Sequence, residues 1–172
     1  MTDLTDLDFD IVALLQEDGR RSTSEISRIV QTPDSTVRRR IDRLLRDKLL
    51  RVVAIVEDPA RLGLDVHALF AVRVAPSDEK GVIARLQACD EIRWVVSATG
   101  AMNLRAEGYF HSLEHLDAFR SQTLAGMGDV RECQVDVVLG IYKNGFNWAA
   151  MARTRAGSAA VRGWERANGK RA

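Results

Sequence analysis

The residues best suited to chemistry are guanidinium groups. Arg38, Arg39, Arg40, Arg43 and Arg46 fall within nine residues, just after Ser35 and Thr36. Arginine can fork onto a guanine edge or a phosphate, and small hydroxyl residues let a backbone approach a duplex. The chemistry on offer is therefore nucleic-acid recognition. Catalytic patterns are missing: the sequence has no nucleophile–base arrangement and no Gly-rich phosphate loop. His111 and His115 lie four apart, close to metal-ligand spacing, but no Cys or acidic residue stands at a clear third-ligand position. Neither a metal nor a cofactor is expected.

Those arginines need a helix to position them. Val37, Ile41, Leu44 and Leu45 recur as one apolar stripe of a helix. At about 100° per residue, Arg39, Arg43 and Arg46 fall opposite that stripe with Ser35 beside them, and Arg38 and Arg40 lie on the flanks. Ser35, Thr36, Arg39 and Arg43 are the expected groove-facing residues. Arg38, Arg40 and Arg46 are expected to touch phosphates or to pair with Asp42 and Asp47. Ser and Thr stand where an N-terminal cap belongs.

A recognition helix needs support from a second element. Leu4, Leu7, Ile11, Leu14 and Leu15 form a helical stripe with Thr5 or Asp6 as cap and Gly19 as stop. Asp6, Asp8 and Asp10 suit the N-terminal turn of that helix through its dipole. Ser22 or Ser24 can cap a short helix, Glu25 to Val30, with Ile26, Ile29 and Val30 facing inward. Gln31-Thr32-Pro33 breaks the chain before the arginine helix. Two short helices joined by a tight turn, the second basic, make a helix-turn-helix.

After Lys48 the periodicity changes. Leu49 to Val56 is β-branched and apolar and reads as a strand, a wing or bridge leaving the DNA-binding unit. Asp58 to Leu64 carries the Pro and Gly of a linker. The expected division is 1–50, a wing strand and linker over 51–65, a second domain over 66–143 and a basic tail over 144–172. In the second domain, strands are expected at Val66–Ala75, Ile92–Ala98, Met102–Phe110 and Val130–Tyr142. Helices are expected at Asp78–Cys89 and Leu113–Leu124. The order β-α-β-β-α-β is ferredoxin-like, with helices on one face of an antiparallel sheet. Val72, Val74, Val96, Leu104 and Val138 are candidates for its two faces. An apolar second face would call for a partner subunit.

Charge distribution agrees with this division. The net charge is only +1, but residues 1–19 carry −6, 20–48 carry +5, 49–143 carry −3 and 144–172 carry +5. The positive charge sits in the arginine helix and the tail. In the tail, Trp148, Met151, Val161 and Trp164 are ringed by Arg153, Arg155, Arg162, Arg166, Lys170 and Arg171. The expectation there is a poorly ordered basic segment, a docking element for a neighbouring subunit or an extra phosphate contact. Cys89 and Cys133 stand alone, without disulfide or metal spacing, and are expected as reduced core thiols. The start is acidic and no apolar run is long enough to span a bilayer, so a cytoplasmic location is expected.

The two halves together carry a resemblance. Leu7-Asp8-x-x-Ile11, Gly19-Arg20, the helix-turn-helix ending in Val37-Arg38-Arg39-Arg40-Ile41 and the β-α-β-β-α-β domain resemble the Lrp/AsnC transcription regulators over about residues 4–143. The resemblance implies an α+β protein with an N-terminal winged helix-turn-helix and a C-terminal ferredoxin-like domain of the RAM type. It implies binding of double-stranded DNA as a homodimer, often assembled further into an octamer. It also implies a small-molecule effector, frequently an amino acid. The effector turn of that family typically reads Ser-Gly-x-x-Asp. Here Thr99, Gly100, Ala101, Met102 and Asn103 stand at that place, and the stretch Asp129 to Val135 lacks the family's small hydroxyl residues. Asn103 in place of Asp removes a charge that would pair with an ammonium group. Two other readings keep the same build: an architectural DNA-coating protein with no effector, and a decarboxylase of haem precursors, for which an arginine-rich helix would have no use.

Overall fold

The computed structural model describes residues 4–156, which form two compact units. One comprises the chain through Ile55 together with the chain from Lys143 onward; the other is Val56–Tyr142.

The first unit opens with α1 (Asp6–Glu17), α2 (Thr23–Val30) and α3 (Asp34–Arg46). Capping fixes where the first two begin. The Thr5 N–H and hydroxyl both donate to Asp8 Oδ2, at 2.9 and 2.8 Å. Ser22 and Glu25 cap α2 reciprocally, with the Glu25 N–H donating to Ser22 Oγ and the Ser22 N–H donating to Glu25 Oε2. Gln31 closes α2 in the left-handed region, φ 50°, the conformation that lets the chain turn sharply into α3. The three helices share a core of Ile11, Leu14, Ile26, Val37 and Leu44. Burial of such side chains is worth about 1.5–3 kcal/mol each. A sixth helix, α6 (Trp148–Ala156), packs against α1 in the same unit.

The second unit is a four-stranded antiparallel sheet in the order β2-β3-β1-β4. Its strands are β1 (Val66–Val74), β2 (Ile92–Ser97), β3 (Leu104–Phe110) and β4 (Val130–Val137), with α4 (Glu79–Gln87) and α5 (Leu113–Ala118) between them. The burial of β1 alternates strictly, with Val66, Ala68, Phe70, Val72 and Val74 all on the helix-covered face. Phe70, Phe110 and Phe119 meet edge to face there, centroids 5.2–6.0 Å apart. This is the ferredoxin-like arrangement expected from the sequence.

Several expectations change. Residues 51–56 form no strand and no wing: no neighbouring strand pairs with them, and Val52, Val53, Ile55 and Val56 remain about half exposed. Strand propensity without a pairing partner does not make a sheet. The last strand stops at Val137, with one further bond, from the Val138 N–H to the His67 carbonyl, beyond it. Leu139 and Tyr142 are fully exposed. The second α-helix of this unit gives way after Ala118 to a π-helical turn over Phe119–Leu124. Ile29 and Leu45, expected inside, are 50% and 40% exposed. The open face of the sheet is mixed rather than apolar. It carries Leu69, Trp94 and Val96, but also Arg73 paired with Glu132, and Glu107 held by His67 and Arg93.

Candidate nucleic-acid interface

The arginine helix forms where it was expected, but its faces divide differently. Its N-terminus is not capped by Ser or Thr; Pro33 occupies the cap position and the Thr36 and Val37 N–H groups donate to its carbonyl. Pro33 therefore replaces a side-chain cap with a fixed backbone. Val37 and Leu44 are buried, and Ser35, Arg38, Arg39, Asp42 and Arg46 are exposed on one side. Thr36 is half-buried.

Arg40 and Arg43 do not belong to the exposed face. Both reach Asp8, with Arg40 Nη1 3.1 Å and Arg43 Nη2 2.8 Å from Oδ2. Arg40, expected at a phosphate or paired with Asp42 and Asp47, is paired with Asp8 instead, and Arg43, expected at the groove, shares that carboxylate. The cause lies in another helix: Asp8 is 0% exposed, so its charge must be met inside the protein. Burial pushes its carboxyl up, but the two Thr5 hydrogen bonds, Arg43 and Arg40 together hold it below the usual aspartate range. Asp8 is thus a buried hub, a role that its position in the first turn of α1 did not announce. Arg38, Arg39 and Arg46 form no ion pair among the described residues. Their charges face outward from a helix whose other side is core.

The turn expected to take an effector lies in the second unit between β2 and β3. Gly100 takes φ +108°, and a Cβ there would meet nothing within 4 Å, so the backbone is open to an approaching molecule. Thr99, Gly100 and Ala101 are exposed, and the Met102 carbonyl accepts from Arg105 Nη1 at 2.6 Å. Asn103 has structural duties. Its Oδ1 accepts the Val74 N–H at 2.9 Å and its Nδ2 donates to Glu79 Oε2 at 3.0 Å. Ser97 donates to the other Glu79 oxygen at 2.6 Å. The carboxylate missing from position 103 is therefore present beside it, supplied by the first turn of α4. Sequence reasoning missed Glu79 because it lies 24 residues from Asn103.

The remaining candidates are spoken for. His111 Nδ1 is 2.7 Å from the Gly63 carbonyl and His115 Nε2 is 3.2 Å from Glu91. Cys89 and Cys133 are free and half-buried, and burial pushes both thiols up. Among the described residues no helix is long and apolar enough to cross a membrane.

Comparison with known proteins identifies this arrangement. An AsnC-type helix-turn-helix domain matches residues 4–45, and an Lrp/AsnC ligand binding domain matches residues 67–148. An uncharacterised HTH-type transcriptional regulator of Pyrococcus abyssi is 32% identical over 143 residues, covering 83% of this chain and 90% of that one. Among solved structures, a transcriptional regulator of Neisseria meningitidis in complex with L-Met superposes with a TM-score of 0.78 at 24% identity, covering 84% of this chain and 96% of that one. The AsnC protein of E. coli superposes with a TM-score of 0.78 at 17% identity, covering 85% and 99%. This chain belongs to the Lrp/AsnC family of DNA-binding transcriptional regulators.

Proposed function

We propose that the chain recognises specific duplex sites through α3, with Ser35, Arg38 and Arg39 at the groove and Arg46 near a phosphate. The observation that carries this reading is the outward face of α3, where three guanidinium groups have no ion-pair partner among the described residues. An ion-paired arginine is already satisfied, whereas an unpaired one gains most from a guanine edge or a phosphate. Arg40 and Arg43 act behind it, fixing α3 to α1. Genomic binding mapped with and without candidate metabolites tests the reading. Enrichment at discrete sites is expected, and uniform coverage would point instead to an architectural role.

The second part of the proposal concerns control. A small molecule with a free ammonium group docks at the Thr99–Asn103 turn, with the open Gly100 backbone on one side and the Glu79 carboxylate as the anionic partner. A neighbour of the same fold is solved with L-Met, which supports an amino-acid-like ligand. Calorimetric titration across the standard amino acids should give binding by at least one, weakened at least tenfold by Glu79→Gln. No heat from any of them would remove the effector from the proposal.

The third part is assembly. A homodimer, open to further assembly into higher oligomers, would cover the mixed open face of the sheet and give the unpaired apolar segment Leu49–Val56 a neighbour.

A further inference from the structure

Of the two basic stretches in the chain, α3 lies wholly within the described residues, whereas the tail from Val161 and Arg162 to Arg171, Trp164 included, lies outside them. One exposed group on α3 has the wrong sign for a phosphate backbone. Asp34 is the first residue of the helix and is exposed, as are Ser35, Arg38 and Arg39. At about 100° per residue, Asp34 falls roughly 40° from Arg38, on the outward side of the helix. Ser24 Oγ, from α2, donates to Asp34 Oδ2 at 3.0 Å. That bond ties the carboxylate to α2 and takes one of its roughly four lone-pair positions. The Ser27 and Ser24 hydroxyls, with a lesser contribution from the Arg38 charge, hold the carboxyl below the usual aspartate range, so it stays ionised at neutral pH. Asp34 forms no ion pair among the described residues.

An ionised carboxylate on this face lowers affinity for any duplex, because phosphates repel it. It gains only where the duplex presents a donor that has no acceptor beside it on the same base. In the major groove the cytosine N4 amino group is such a donor. Adenine N6 stands beside the N7 acceptor, guanine presents N7 and O6, and thymine presents O4, all of which turn a carboxylate away. The first residues of a recognition helix are the ones that reach base edges in helix-turn-helix proteins. A carboxylate tied at one oxygen also presents the other in a fixed direction and loses little freedom on contact.

We propose that Asp34 is a specificity-determining residue that reads cytosine, accepting a hydrogen bond from its N4 amino group in the major groove. The inference rests on α3 being the element that reads the duplex. Arg38, one turn further on, serves a neighbouring guanine edge. Ser24 is a positioning residue that aims the carboxylate.

The test is selection of bound duplexes from a randomised pool, with the full chain at fixed salt. The wild type should enrich sites with cytosine at one position, preferred over the other bases by roughly tenfold or more. Asp34→Asn keeps the shape of the side chain and adds a donor. Asparagine pairs with adenine N6 and N7, so the preference at that position alone should move from cytosine to adenine. Asp34→Ala should lose the preference there, keep it elsewhere, and bind a random-sequence duplex at least as tightly as the wild type. Ser24→Ala should keep cytosine but with a weaker preference. A purely structural tie between α2 and α3 would instead lower affinity for every sequence together. Unchanged base preferences in both Asp34 variants overturn the inference, and so does a uniform loss of affinity. A wild type that enriches no sequence overturns the reading role of α3 itself, and the Asp34 contact falls with it.

Discussion

Arg43 Nη2 lies 2.8 Å from Asp8 Oδ2, joining the middle of α3 to the first turn of α1. Arg40 Nη1 approaches the same oxygen at 3.1 Å. Two arginines on one fully buried carboxylate add a directional tie between α3 and α1 to the packing of its short apolar stripe. Asp8→Ala leaves both guanidinium groups facing a site with no anion. It should cost roughly 3 kcal/mol of stability in the N-terminal unit, read by urea unfolding. An effect below about 0.5 kcal/mol would mean that water satisfies the arginines equally well.

The same carboxylate gives that unit a pH dependence. Its folded value lies below the unfolded one, so the stabilisation is complete above the ordinary aspartate range near 3.9 and is lost as pH falls through the lowered value. Unfolding free energy should therefore fall with acidification below about pH 4. Asp8→Asn should flatten that part of the profile; an unchanged slope would show that other carboxylates govern acid unfolding.

Arginines on the two sides of α3 should behave differently. Arg39→Ala should weaken specific DNA binding by about 1–3 kcal/mol with little change in stability, as should Arg38→Ala. Arg43→Ala should do the reverse, lowering the melting temperature and reducing affinity only through the misplaced helix. Anisotropy and thermal melts on the same three variants check this. Equal affinity losses at constant stability in all three would return Arg43 to the groove.

How much of this was legible follows from where each signal resides. Ser22 as a candidate cap and the apolar run from Val66 are local patterns, and a helix over Thr23–Val30 and a strand over Val66–Val74 follow them, against the expected Glu25–Val30 and Val66–Ala75. The face of Arg43 was not local. The helical wheel puts it opposite the apolar stripe, and only Asp8, thirty-five residues earlier, turns it inward. Asn103 misled for the same reason: the turn shows the missing charge, but not the Glu79 carboxylate that α4 brings to it. Leu49 to Val56 has the composition of a strand, yet pairing belongs to two segments and the sequence displays one. The docking of α6 on α1 hangs on Arg153 and Gln16, polar residues whose periodicity carries no core signal.

Asn103→Asp would not simply restore an ammonium-binding charge. It replaces the amide that donates to Glu79 Oε2 at 3.0 Å with a second carboxylate at the same distance. Two such groups cannot both ionise cheaply, so one should hold a proton with its pKa raised. A raised carboxyl pKa in the folded state means stability lost as pH climbs from about 4 through the raised value. The variant should thus be closer to wild type at pH 5 than at pH 7 in urea unfolding. Adding Glu79→Gln should rescue it at pH 7. Wild-type stability at both pH values would show that the side chains separate without cost.

The proposed homodimer can be tested at the open sheet face. Leu69 is 39% exposed and Val96 46%, flanking Glu107, which is only 6% exposed. His67 stacks on Tyr109 at 4.4 Å and holds Glu107 at 2.7 Å, so the centre of the face is ordered and its polar groups are largely satisfied. A face whose central polar groups are paired and which exposes Leu69 and Val96 beside them is suited to a self-complementary contact across a two-fold axis. The full chain should sediment as a dimer or larger at micromolar concentration. Leu69→Asp, exposed in the single chain and hence tolerated by its fold, would bury an unpaired charge in that contact. It should raise the dissociation constant at least tenfold, about 1.4 kcal/mol. A wild type that sediments as a monomer, or a Leu69→Asp variant that assembles equally well, would place the contact elsewhere.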